Sequence, residues 1–117
     1  MASILCTKGL ERTTQVTLDD INYVAVGTGT AALAASDTQL GAETYRKTPD
    51  YKLRQGKTLQ VRAQFANVDL PATSEEFGWF MNGGAGADTG ELLSRALATF
   101  VKGSTDLFVI LEIEIED

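Results

Sequence analysis

"VAVGTGTAALAASDTQL", Val24–Leu40, is the stretch on which the fold turns. An apolar run ends in Gly27-Thr28-Gly29, and Ala32 completes a G-x-G-x-x-A spacing. After a strand, that spacing has two readings. In the first, the glycines bend the chain into a helix whose N-terminus holds a pyrophosphate, and an alternating α/β sheet follows. In the second, they form a tight exit from an antiparallel strand, where missing side chains let backbones approach closely.

The first reading needs a helix after the glycines and an acidic residue ending a parallel strand about 20 residues on. Ala31 to Ala35 has the composition for one helical turn, but Ser36-Asp37-Thr38 interrupts it. Glu43 leads into a basic, proline-containing stretch instead of ending an apolar strand. No Gly-Lys-Ser/Thr follows the glycines, so there is no P-loop either. A nucleotide-binding enzyme using the Gly27-Gly29 turn is therefore the weaker alternative.

Outward from this stretch the dominant period is two. In "KTLQVRAQFA", residues 57–66, Leu59, Val61, Ala63 and Phe65 alternate with Gln60, Arg62 and Gln64, the pattern of a half-buried strand. In "TDLFVILEIEIED", residues 105–117, Leu107, Val109, Leu111, Ile113 and Ile115 share one face. The other face carries Phe108 and Ile110, then Glu112, Glu114 and Glu116. "INYVAV" (21–26) and "EEFGWFM" (75–81) read as further strands, with Gly78 marking a bulge or a close backbone approach. "LLSRALATFVK" (92–102) is read as a strand forming a hairpin with the last one through Lys102–Asp106. "RKTPDYKLRQGK" (46–57) and "NGGAGADTG" (82–90) read as loops, the second a mobile one.

These signals predict a mainly β fold, an antiparallel β-sandwich or small barrel with at most a short helix. The 117 residues suit one domain, residues 1–117, with 1–20 as an N-terminal arm and first strand. No apolar run approaches the ~20 residues that span a bilayer, and no signal peptide is evident.

Composition removes whole classes of chemistry. The chain has no histidine, which excludes Ser-His-Asp and Cys-His catalysis and histidine-ligated zinc. The one cysteine, Cys6, makes neither an internal disulfide nor a multi-cysteine metal site. No catalytic, cofactor-binding or metal-ligating set is expected. The net charge of −6 argues against a nucleic-acid partner.

Positive charge is nonetheless clustered at Arg46, Lys47, Lys52, Arg54, Lys57 and Arg62, and the C-terminal end is acidic. Such asymmetry suits two solvated faces, a contact between two parts of one subunit, or a head-to-tail contact between two subunits. If the two alternating strands are neighbours, Glu112, Glu114 and Glu116 can pair with Arg54, Lys57 or Arg62. Phe77, Trp79, Phe80 and Tyr45 read as core, with Trp79 a candidate anchor for a protein contact. Candidate interface residues are Arg46, Lys47, Lys52, Arg54, Lys57, Trp79 and Asn82, with the arm Ala2 to Arg12 as a further contact region.

The order of motifs resembles a family. "YVAVGTGTAALAASDTQLGAETYR" is similar to a segment of small virion proteins of tailed bacteriophages, through Gly27, Gly29, Thr38, Leu40, Glu43 and Arg46. "EEFGWF" resembles that family's Glu-x-Gly-aliphatic-Phe strand at Glu76, Gly78 and Phe80. "GELLSRALATFVKGSTDLFVILEIEI" resembles its closing hairpin, with Gly90, Leu92, Leu93, Arg95, Ala96 and Lys102. Two positions depart: Ala31-Ala32-Leu33-Ala34 lacks the usual proline, and Trp79 replaces an aliphatic residue.

The resemblance implies a non-enzymatic virion subunit, assembled in the host cytoplasm. Its first form is a capsid decoration, or cement, protein bound to the major capsid protein. Its second is a tail or collar adaptor, because the pattern also occurs in collar-type N-terminal domains of tail-fibre proteins. It also implies a homo-oligomer, a trimer by analogy, with no membrane partner.

Overall fold

The computed structural model describes residues 2–116; Met1 and the last acidic residue, Asp117, lie outside them. The chain is mainly β. After helix α1 (Thr7–Asp20) come β1 (Ile21–Gly27), β2 (Glu43–Lys47), β3 (Tyr51–Gln55), β4 (Thr58–Phe65), β5 (Ser74–Met81), β6 (Glu91–Phe100) and β7 (Leu107–Glu114). A single 3₁₀ turn, Asn67–Asp69, separates β4 from β5.

Two antiparallel sheets face each other. The larger, sheet A, has the order β2-β1-β5-β6; the smaller, sheet B, has the order β3-β4-β7. Alternation puts Val24, Val26, Phe77 and Trp79 of sheet A against Leu59, Val61, Phe65, Leu107, Val109 and Leu111 of sheet B. These side chains form the main core, and Ile21, Leu59, Val61 and Phe65 in it are fully enclosed. β4 and β7 are neighbours in the register Thr58↔Glu114 to Phe65↔Leu107, so the two clearest period-two segments lie side by side. Lys57 reaches Glu114 at 3.8 Å, one of the charge pairs that this adjacency permits.

Three expectations are corrected. Residues 7–20 are a helix, not an arm leading to a first strand, whereas Ala31–Ala35 forms no helix and only a turn, Asp37 N–H donating to Ala34 O. The helix forms because Leu10, Thr14 and Leu18 recur at four-residue spacing and are buried. Second, residues 46–57 are not one loop, since β2 ends and β3 lies within them. Third, β6 and β7 make no hairpin. β6 pairs with β5 and β7 with β4, so residues 101–106 cross from one sheet to the other. Phe100 and Leu107 then enter the core from opposite sheets.

Candidate functional site

The outward face of sheet A carries the molecule's most elaborate polar architecture. Glu76, Gly78 and Phe80 of β5 point there, opposite in sense to Phe77 and Trp79. Phe80 joins Ala25 and Leu40 in a second, smaller core roofed by the loop 28–42. The roof fits because β5 has no side chain at Gly78: a Cβ there would stand 2.7 Å from Leu40 Cδ2.

The loop is fastened by one carboxylate. Glu76 is fully buried, and its oxygens accept the N–H groups of Gly29 at 2.7 Å, Gly41 at 2.8 Å and Ala42 at 2.8 Å. Arg95 of β6 donates to the same carboxylate from Nε at 2.9 Å, and its Nη1 reaches Asp37 at 3.2 Å. Its Nη2 donates to Ala31 O. Burial raises the Glu76 pKa, but the N–H groups of Ala42 and Gly41, the Arg95 guanidinium and the Gly29 N–H outweigh it. The carboxyl is held below the ordinary glutamate value.

The Gly27-x-Gly29 turn thus is an anion cradle, but its anion is internal. Glu76 sits where an external phosphate would seek those N–H groups, and no helix follows the glycines. A Cβ on Gly27 would lie 2.6 Å from both Ala42 O and Glu76 Oε2, and one on Gly29 would run into the same carboxylate. Close approach is the reason for both glycines.

A second buried pair fastens the loop 82–90. Arg46 of β2 binds Glu43 through two parallel hydrogen bonds, Nε to Oε2 at 2.6 Å and Nη2 to Oε1 at 2.7 Å. Its Nη1 donates to Gly84 O and Thr89 O, both at 3.0 Å. Its guanidinium lies over the Phe80 ring at 4.5 Å and the Tyr23 ring at 5.4 Å. Asn22 closes the loop base, accepting from Gly83 N–H and donating to Gly83 O. Gly90 has φ +88°, a left-handed conformation that glycine adopts without strain. The loop is exposed, yet its backbone is laced to the sheet.

The candidate interface residues do not converge on one surface. Trp79 is 3% exposed and Arg46 is buried, so neither presents a surface in this fold. Lys52 Nζ donates to Leu18 O and Ile21 O, neutralising carbonyls at the C-terminus of α1. Arg54 donates to Gln15 of α1. Lys47 pairs with Asp50 and donates to Gln64 O, at the β2–β3 turn. With Lys57 on Glu114, most of the basic cluster is engaged inside the subunit. Asn82 stays exposed at the loop base, with φ 53°.

Glu76 and Arg95 were legible only as motif members. The available signal was a carboxylate on the same strand face as Gly78 and Phe80, a face otherwise apolar. No three or more of Cys, Asp and Glu form a metal-binding group among the described residues. No helix among them is long and apolar enough to cross a membrane. The chain matches no protein-family model, and no curated protein resembles it at a significant level.

Proposed function

We propose that this chain is a non-enzymatic structural subunit of a tailed-phage virion, a decoration protein that binds and stabilises the capsid exterior. The observation that carries the reading is the mounting of the two loops. Residues 28–42 and 82–90 are solvent-exposed along most of their length, yet each is fixed by a buried Arg–Glu pair, Arg95–Glu76 and Arg46–Glu43. Loops ordered before contact lose less entropy on binding, which favours a recognition surface. The motif resemblance supplies the setting. The net charge of −6 suits an outward surface better than one facing packaged DNA. A ligand that binds only the assembled shell stabilises that shell.

The resemblance to collar-type tail-fibre domains favours a tail or collar adaptor as the second reading. Quantitative mass spectrometry of purified particles separates them. Hundreds of copies per particle support decoration, six or twelve support the adaptor, and absence from particles overturns both.

A further inference from the structure

At the base of the loop 82–90, two neighbouring residues are each chosen for a structural reason, and together they make a labile pair. Asn82 has φ 53°, in the left-handed region that asparagine tolerates better than most residues. Gly83 has no room for a side chain: a Cβ there would stand 3.0 Å from Thr89 O and 3.1 Å from Arg46 Nη1. The fold thus calls for Asn-Gly at a point where Asn82 is exposed to water. Of the asparagines Asn22, Asn67 and Asn82, only Asn82 precedes a glycine. Glycine offers no side chain to shield its amide nitrogen, and asparagine is among the thermally labile residues.

The reaction open to such a pair is a ring closure. The Gly83 backbone nitrogen attacks Asn82 Cγ, the Cγ–Nδ2 bond breaks, and the proton from the attacking nitrogen leaves with ammonia. Solvent water then opens the succinimide at either carbonyl, giving aspartate or isoaspartate at position 82. The attacking nitrogen has to give up its proton, and in this structure that proton is held. Gly83 N–H donates to Asn22 Oδ1 at 2.9 Å, while Asn22 Nδ2 donates to Gly83 O at 2.8 Å. Breaking this pair of bonds has a cost that ring closure must meet first. The N–H of Asn82 is bound too, donating to Asp20 O at 3.1 Å.

We propose that Asn82 is a deamidation site and that Asn22 is its guard. While β1 and β5 are paired, Asn22 keeps the Gly83 nitrogen occupied and the site is slow. When the loop base opens, or before the two strands have met, the pair reacts as it would in a free peptide. Isoaspartate routes the main chain through the side-chain Cβ and Cγ, one atom longer than before. Gly83 is then displaced from Asn22, and the fastening at the base of the loop 82–90 is lost irreversibly.

Particle composition tests the virion reading and peptide mass tests this site, so neither result depends on the other. The full chain is held in mildly alkaline buffer, folded or unfolded in guanidinium chloride, and mapped by peptide mass spectrometry over days. Position 82 is expected to convert at least about tenfold more slowly in the folded chain, because reaction there waits on local opening. Asn67, before the bulky Val68, is the reference in the same maps. Asn22→Ala removes the acceptor, and with an unchanged far-ultraviolet circular dichroism spectrum it should convert at least about tenfold faster than folded wild type. If Asn22→Ala loses its native spectrum, Asn22→Leu, closer in size and equally without an acceptor, replaces it with the same expected result. Amide hydrogen exchange reads the guard in the wild type directly. Corrected for intrinsic rates, Gly83 N–H should exchange at least about tenfold more slowly than that of Gly103 in the exposed connection. Folded wild type that converts as fast as the unfolded chain overturns the proposal. So does a folded acceptor-free variant as slow as wild type, or a Gly83 amide that exchanges as freely as Gly103.

Discussion

Glu76 holds together residues far apart in the chain with four hydrogen bonds, three from backbone and one from Arg95. Glu76→Gln keeps the shape but removes the charge, leaving Arg95 with Asp37 alone as a carboxylate partner. Breaking a buried pair from one side costs about 3–5 kcal/mol, which chemical denaturation should report. The folded carboxyl is held below the ordinary glutamate value, about 4.3 in the unfolded chain. Its contribution is therefore full above that value and is lost as pH falls through the lower folded value. The stability gap between wild type and Glu76→Gln should narrow on acidification below about pH 4. A gap that stays constant down the acid limb would refute the assignment. Gly29→Ala tests the same cradle from the other side. Its Cβ meets the Glu76 carboxylate, and overpacking of that kind costs about 1–3 kcal/mol. Gly103→Ala, which has open space around it, is the control and should leave the midpoint nearly unchanged.

At the scale of elements, α1 is where sequence pattern and structure part company. Thr7, Thr13, Thr14, Thr17 and Val16 are stiff near the backbone and poor helix formers, and Gly9 is worse. Three threonine hydroxyls donate to the carbonyl one turn back, a local solution that no alternation reveals. Tertiary burial of Leu10, Thr14 and Leu18 decides the outcome. Gly9→Ala should therefore stabilise the protein by about 0.5–1 kcal/mol, since its added methyl meets nothing within 4 Å. A lower melting temperature for that variant would mean that α1 does not form in solution. β4 and β7 were readable because half-buried strands write their two faces into the sequence. Their adjacency to each other, and the separation of β6 from β7, were not. A turn signal such as Gly103-Ser104 marks a reversal of direction, but it does not say which sheet the chain re-enters. The site was hidden for the same reason: Glu76 and its backbone donors lie 34 to 47 residues apart.

At the scale of the molecule, one core serves both sheets, and this dictates how the chain folds. β1 must find β5, and β4 must find β7, each across a long intervening segment. Closing such loops costs entropy before any contact rewards it, so refolding should fall in the millisecond-to-second range typical of β-sandwiches. Trp79, the sole tryptophan, reports the final step because its indole is enclosed only when both sheets meet. Its fluorescence and the far-ultraviolet signal of the strands should then change with one rate constant and one denaturation midpoint. Two core truncations on opposite sheets, Val26→Ala and Leu111→Ala, should shift both signals together, each by about 1–4 kcal/mol. If strand signal survives after Trp79 becomes exposed, sheet A and sheet B are separately stable. The loops on sheet A would then be held by half a molecule, and fastening at Glu76 would no longer depend on the core beneath it.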